Sequence, residues 1–477
     1  MGQEIRTSHF DAADFREFGR RLREETELLA RVFASDGFSH HHGTGGFELE
    51  AWLVDPDWRA APANEEVLAS LSTDWVTPEL ARFNIEVNVD PADLGADGLA
   101  RLAAGLKHNW DACRRAASAA GCGLVAIGIL PSLREEELTV ENMSRLERYR
   151  ALNEQVLKLR AGRELELDIV GREHLRTRHR DVMLEAAATS FQVHLQLDPR
   201  RAARYYNASV LASAFTVAAA GNSPYLFGRD LWCETRIPLF EQAVNVGGFE
   251  AAAFGPVRRV GFGHGYVRES LLECFLENLE HYPPLLPMVR DEDPARFSHL
   301  RLHNGTIWRW NRPLIGFDPD GRPHLRIEHR VLPGGPSLID MMANAALYFG
   351  LASYLAQMPS PPESELPFDQ ARDNFYHAAR LGLDAQLHWL DGRREGVGRL
   401  LAGELIAMAE AGLGILGADP AHARELLGVV RARVESGRTG AVWQRRWVAA
   451  HGRDWVGLTA AYAERQASGD PVHEWGL

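Results

Sequence analysis

The chain has 477 residues, with 52 Lys and Arg against 65 Asp and Glu, a formal net charge of −13. Hydrophobic residues at 45% and charged residues at 25% are ordinary globular proportions and exclude global disorder. The acidic balance argues against a nucleic-acid partner held by bulk charge.

The longest nearly apolar run, residues 210–220, is shorter than the roughly 20 apolar residues a bilayer crossing needs, so no membrane partner is expected. Residues 1–7 carry no apolar segment of the secretory kind. Cys113, Cys122, Cys233 and Cys274 form no C-x-x-C pair, which suits free thiols and a reducing, cytoplasmic location.

In chain order, apolar residues near a 3.6 period predict a helix over 12–33, through Phe15, Phe18, Leu22, Leu28, Leu29 and Val32. A loop rich in Gly and His follows over 35–46, and its three adjacent histidines, His40, His41 and His42, read as loop rather than metal site. Further helices are expected over 99–120, 144–163, 200–219, 266–281 and 338–356, with a short buried strand over 124–129. The basic stretch 172–180 reads as a solvated helix face, and Gly261 to Gly265 as a plain loop.

Four prolines between 357 and 369 mark a linker. The expected organisation is a catalytic domain over 1–358, a Pro-rich linker over 359–369 and a helical C-terminal region over 370–477. That region has no strand pattern and is expected to pack on the sheet domain through Leu387, Trp389, Leu390, Leu405 and Ile406. Within it, the segment WQRRW at 443–447 reads as helix packing with exposed arginines.

Four segments, 47–54, 83–90, 191–198 and 325–331, alternate apolar and polar residues with the period of a two-faced strand. Their polar positions hold Glu48 and Glu50; Asn84, Glu86, Asn88 and Asp90; Gln192, His194, Gln196 and Asp198; and Arg326, Glu328 and Arg330. A face exposed to water would favour Thr and Lys, because Glu, Asn and Asp are poor strand formers, yet this set contains no Lys. Glu48 and Glu50 on one face repel unless a cation sits between them or water separates them.

Carboxylates with a single imidazole suit Mg²⁺ or Mn²⁺ better than zinc. Glu48, Glu50, Glu86, His194 and Glu328 would serve about two or three such ions, since each takes one or two carboxylates and fills the rest with phosphate and water. Arg330, beside them, suits a bidentate hold on phosphate. The combination describes phosphoryl transfer from a metal-bound nucleotide, without a P-loop or dinucleotide fingerprint anywhere in the chain.

These segments resemble, in order, the glutamate–cysteine ligase family in its plant and bacterial carboxylate–amine ligase branch. The likeness runs through FELE with LVD from Phe47 to Asp55, IEVN from Ile85 to Asn88, TSFQVHLQLD from Thr189 to Asp198, AAGNSPYLFG from Ala219 to Gly228, WCETRI from Trp232 to Ile237 and RIEHR from Arg326 to Arg330. It departs where many bacterial relatives have H-V-H and this chain has Gln192-Val193-His194, and where the last strand runs on to Val331-Leu332-Pro333.

The resemblance implies an α+β, glutamine-synthetase-like fold: a curved, mainly antiparallel sheet cupping the active site, with helices outside. It implies ATP as co-substrate, activation of a carboxylate by phosphorylation, and amide formation with an amine, as in glutathione biosynthesis. By that likeness Glu48, Glu50, Glu86, His194 and Glu328 are metal ligands, Arg330 contacts the transferring phosphate, and Arg309 and Arg312 are further clamps. Asn88, Gln192 and Arg236 line the substrate side. The partners expected are small molecules, with a homo-oligomer an open question. Two other readings stand beside the ligase: a phosphotransferase acting on guanidino groups, and a non-catalytic binding relative.

Overall fold

The structure is a computed structural model that describes residues 9–246 and 258–477. The expectation about residues 1–7 falls outside them. The alternating segments build one antiparallel sheet of seven strands: β1 (Thr44–Val54), β2 (Val76–Pro78), β3 (Asn84–Asp93), β4 (Gly123–Val125), β5 (Phe191–Leu197), β6 (Asn311–Phe317) and β7 (Pro323–His329). Six run in the order β6-β7-β5-β1-β3-β2, and β4 pairs with the last residues of β1. The sheet is curled and the fold is mixed α+β.

Helices surround the sheet. These are α1 (Ala12–Ala34), α2 (Gly98–Ala119), α3 (Ala202–Ala220), α4 (Leu272–His281), α5 (Ser298–Gly305), α6 (Leu338–Gln357), α7 (Phe368–Leu381), α8 (Ile406–Ile415), α9 (Pro420–Ser436), α10 (Gly440–His451) and α11 (Trp455–Ser468), with shorter helices between. Asp11 and Ser337 start α1 and α6 with reciprocal capping boxes.

α3 and α6 are buried along nearly their whole length, as their Ala-rich sequences, with one charged residue each, allow. Among the described residues α6 alone is long and apolar enough to cross a membrane, and it lies mostly inside the protein. It packs Phe349 against Phe47 of β1 and lays Tyr348 on His329 of β7, with ring centroids 4.0 Å apart. His329 is on the apolar face, bonded to Asn311 and Thr216, and burial pushes its pKa down to about 3, so it is neutral.

Helix α8 approaches α6 so closely that a Cβ on Gly412 would lie 1.9 Å from the Gly350 carbonyl oxygen; only glycine fits there. Arg433 of α9 reaches Asp340 in the first turn of α6 at 2.7 Å, with both side chains buried. One apolar cluster runs from Phe18 to Trp475 and includes Leu387, Trp389, Leu405 and Ile406, with Leu390 packed against it.

Several expected elements differ. The C-terminal region is not all-helical: Gln386–His388 and Arg394–Gly396 form a small antiparallel hairpin. Its strands are too short to show a period, and the turn is made by Asp391 and Gly392, both at positive φ. Trp389, just before that turn, stands edge-on to Phe215 of α3. The segment 172–180 is not helical either. His174–His179 pairs with Leu165–Val170, where Arg176 opposes Asp168 and Arg178 opposes Glu166, so the charges are met across the hairpin. The strand expected over 124–129 stops at Val125, and the helix expected over 266–281 begins only at Leu272.

Candidate functional site

Strand pairing sets the polar residues side by side on one face. Glu48 opposes Asn88 on one neighbour and Gln192 on the other; Glu50 opposes Glu86; His194 opposes Gly46 and Glu328; Arg312 opposes Glu328. Glu50, Glu86, Gln192, His194 and Glu328 are all buried, Glu86 at 1% exposure and Glu328 at 0%. Like charges directly opposite in a sheet are destabilising, so the Glu50–Glu86 pair is an arrangement that folding alone does not favour.

The acids gather into two groups. In the first, Nε2 of His194 lies 3.2 Å from Oε1 of Glu48 and 4.0 Å from Oε1 of Glu328. In the second, one oxygen from each of Glu50, Glu79 and Glu86 lies within 4.8 Å of the others. Gln192 and Arg330 join the groups. Nε2 of Gln192 donates to Glu50 at 2.8 Å, while Nη1 of Arg330 donates to Oε1 of Gln192 and, at 3.1 Å, to Glu328. Ser190 gives Glu50 two more donors, from its backbone nitrogen and its hydroxyl. Thr77 and Asn88 donate to Glu86.

The two groups differ in charge. Burial opposes ionisation of Glu328, but Arg312 and Arg330 hold its pKa down at about 2. Burial likewise opposes ionisation of Glu48, and His194 beside it holds that carboxyl well below the usual range. In the second group, burial lifts Glu50 to about 7, with Arg330 opposing and Glu86 reinforcing. Burial, then Glu86 and Glu50, lift Glu79 well above the ordinary value. Glu185 nearby is lifted to about 8, by burial and by Glu50.

Hard oxygen donors packed this closely, one imidazole, and an Oε2 of Glu48 that is buried without a hydrogen-bond partner fit magnesium or manganese. Glu48, His194 and Glu328 could hold one ion, and Glu50, Glu79 and Glu86 another.

Not every residue singled out in the sequence joins this face. Arg309 turns elsewhere: it bonds Asn278 at 2.6 Å and pairs with Glu277 of α4 at 3.3 Å, on the wall of a separate cavity of about 200 Å³. Arg312 is present, but its planar fork is spent on Glu328, at 2.7 and 3.0 Å, rather than left open for phosphate. Arg236 lines no open surface. It donates to the carbonyls of Arg330 and Val331 and to Glu234, and so braces the backbone that carries Arg330.

Sequence reasoning missed Glu79, Glu185 and Ser190. Glu79 follows a three-residue strand that shows no period, and Glu185 lies in a 3-10 turn, Val182–Ala187.

The histidine loop is structural, with His40 between Asp36 and Asp198 and His41 on Thr44. In WQRRW, both tryptophans are buried and Arg445 pairs with Asp230 at 2.7 Å. All four cysteines are free.

The polar face of a curled antiparallel sheet thus carries two groups of acids bridged by Gln192 and Arg330. The sequence profile of glutamate–cysteine ligase family 2 matches residues 44–457. The chain belongs to glutamate–cysteine ligase family 2, a family of ligases. Among solved structures it is similar to a glutamate–cysteine ligase from Francisella tularensis in complex with AMP, at 11% identity and TM-score 0.52, covering 91% of this chain and 90% of that one. It is also similar to a bifunctional glutathione synthetase from Pasteurella multocida, at 11% identity and TM-score 0.49, covering 94% of this chain and 55% of that one. At such identity the first likeness speaks for the fold. Among curated proteins, no sequence matches significantly.

Proposed function

We propose that the chain is an ATP- and Mg²⁺-dependent carboxylate–amine ligase that joins the γ-carboxyl of glutamate to an amine such as that of cysteine. The observation that carries this is the pair of acid groups bridged by Gln192 and Arg330, in a chain of this family. The γ-phosphoryl of ATP passes to a carboxylate oxygen, giving ADP and an acyl phosphate. The amine then attacks the carbonyl carbon, loses a proton, and phosphate leaves as the amide forms. Magnesium, held by the two groups, would supply charge neutralisation for the phosphates.

The protein's own residues do the positioning. Arg330 presents a guanidinium fixed between Glu328 and Gln192, where charge develops on the transferred group. Arg236 and Glu234 hold that arginine's backbone, and Arg312 fixes both oxygens of Glu328, so the carboxylate keeps one orientation. Burial excludes water, which would hydrolyse an acyl phosphate.

The test is phosphate release from ATP and Mg²⁺ across a panel of amino acids. A ligase releases phosphate only when both an acid and an amine are present. Release without an amine would instead indicate a phosphotransferase or ATPase, and nucleotide binding without release a regulator.

A further inference from the structure

Strand pairing stops one residue short of Glu79. β2 ends at Pro78, whose register partner is Ile85, and the chain then turns back toward β3. The Glu79 carboxylate nevertheless stands with those of Glu50 and Glu86, where burial first, and then both neighbours, lift its pKa. Like charges gathered this way repel, so a segment held only by a three-residue strand would let Glu79 swing out of the group.

A second segment, residues 142–149, is laced along it. The backbone nitrogen of Arg82 donates to the Asn142 carbonyl, and that of Ser144 to the Leu80 carbonyl, both at 2.8 Å. The Ser144 hydroxyl donates to the carbonyl of Glu79 itself. The carbonyl before it, that of Pro78, receives the Tyr149 hydroxyl at 3.1 Å and Nη2 of Arg148 at 3.2 Å, and the same Nη2 donates to the Tyr149 oxygen at 2.7 Å. Ser144 in turn accepts from Nδ2 of Asn64 at 3.0 Å. Ser144, Tyr149 and Asn64 are all buried. The two peptide groups that flank the Glu79 Cα are therefore both pinned. Because peptide groups are planar, that fixes the two soft dihedrals of Glu79 and the direction in which its side chain leaves the backbone.

We propose that Ser144 and Tyr149 are positioning residues that set how tightly Glu50, Glu79 and Glu86 bind a divalent ion, by holding Glu79 in the group against its neighbours' repulsion. Their hydroxyls are spent on backbone carbonyls, so they act through Glu79 and not on the ion. Groups that orient a metal's ligands in this way tune its affinity without touching it. The inference rests on reading this acid group as a metal site and is independent of which acid and amine the protein joins.

The experiment is titration of the full chain with Mn²⁺ alone, the free ion being followed by its electron paramagnetic resonance signal. Ser144→Ala and Tyr149→Phe are each made in the parent protein and in Glu79→Gln. In the parent, either substitution should weaken one class of Mn²⁺ site about tenfold and leave the other class as it was. In Glu79→Gln, the same substitutions should change Mn²⁺ affinity no further, because the residue through which they act is already gone. A contact that served only the fold would weaken both classes, or act equally with and without the Glu79 carboxylate, and either result overturns the proposal. Parental Mn²⁺ affinity in Ser144→Ala and Tyr149→Phe overturns it too, as does a parent protein with a single class of site. If Ser144→Ala does not fold, Tyr149→Phe, which deletes one oxygen, decides alone. The ligase reading fails separately, by absence of phosphate release with any acid–amine pair, and Mn²⁺ binding would still decide the role of Ser144 and Tyr149.

Discussion

Behind the turn at Asn222, Glu234 and Arg236 are buried as deeply as Glu50 and Glu86 are in the cup, yet their surroundings are the reverse. Glu234 accepts from the Asn222 backbone at 2.8 Å, from Ser223 at 2.7 Å and from Arg236 at 3.2 Å. Asn222 uses its side chain fully, donating to the Gly334 carbonyl and the Tyr462 hydroxyl and accepting from Gln444. One acid meets one base there. In the cup, Glu50, Glu79 and Glu86 crowd together with Glu185 nearby, and Arg330 is shared with Glu328. A buried acid that fixes structure is matched by a base of the protein itself, whereas a surplus of buried acid is what a bound cation would match.

That difference can be broken from either side. The largest effect is expected where the closed pairing is opened. Arg433→Met leaves Asp340 buried and unpaired at the start of α6, which should cost about 3–5 kcal/mol, read as a large fall in thermal midpoint. In the cup, Glu328→Gln keeps the side chain's shape but takes the counter-charge from Arg312 and Arg330, so in the protein that folds turnover should fall by about 3–4 kcal/mol of transition-state stabilisation, measured by steady-state kinetics with ATP, Mg²⁺ and the best acid–amine pair. Near-normal turnover would remove β7 from the active site.

Arg330→Lys is gentler. It keeps the charge but loses the fork that spans Gln192 and Glu328. It should lower kcat about tenfold and leave nucleotide affinity nearly unchanged. Smaller still, and opposite in sign to Arg433→Met, Glu79→Gln should stabilise the ion-free protein by about 1 kcal/mol, because it removes one of several repelling carboxylates. A lower melting temperature for that variant in chelator would mean the second acid group is self-sufficient.

The side on which each strand residue points was legible in the sequence, because alternation is a two-residue property that long strands display in full. Glu48, Glu50, Glu86, His194 and Glu328 therefore appear on one face in both readings. Their division into two groups was not legible, since it depends on register, which sets Glu50 against Glu86 and His194 against Glu328. Glu79 escaped because β2 has three residues and no period. Arg309 was misplaced because it sits on a two-residue strand, Trp308–Arg309, paired with Val260–Gly261 and outside the main sheet. The family likeness supplied order along the chain, and it left open which arginines would face acid and which would face open space.

The smallest effect expected is a change with pH in what magnesium does to stability. In the ion-free folded protein Glu50 holds its proton up to about pH 7, whereas an unfolded glutamate loses it near about 4.3. Between those values the folded state binds more protons than the unfolded one, so folding stability falls as pH rises through this window. Glu185, lifted to about 8, extends the fall upward. Glu328, held at about 2, acts oppositely, but its contribution is lost only on acidification below the ordinary carboxylate range. A divalent ion bound by Glu50, Glu79 and Glu86 needs them ionised, so at about pH 6 it must displace a proton that at about pH 8 is already largely gone. The rise in melting temperature on adding Mg²⁺ should therefore be larger at about pH 8 than at about pH 6, and Glu50→Gln should flatten most of that difference. An equal rise at both values, in the parent protein, would mean that the ion is held elsewhere than on Glu50, and the contrast between an open cup and a closed turn would lose its chemical half.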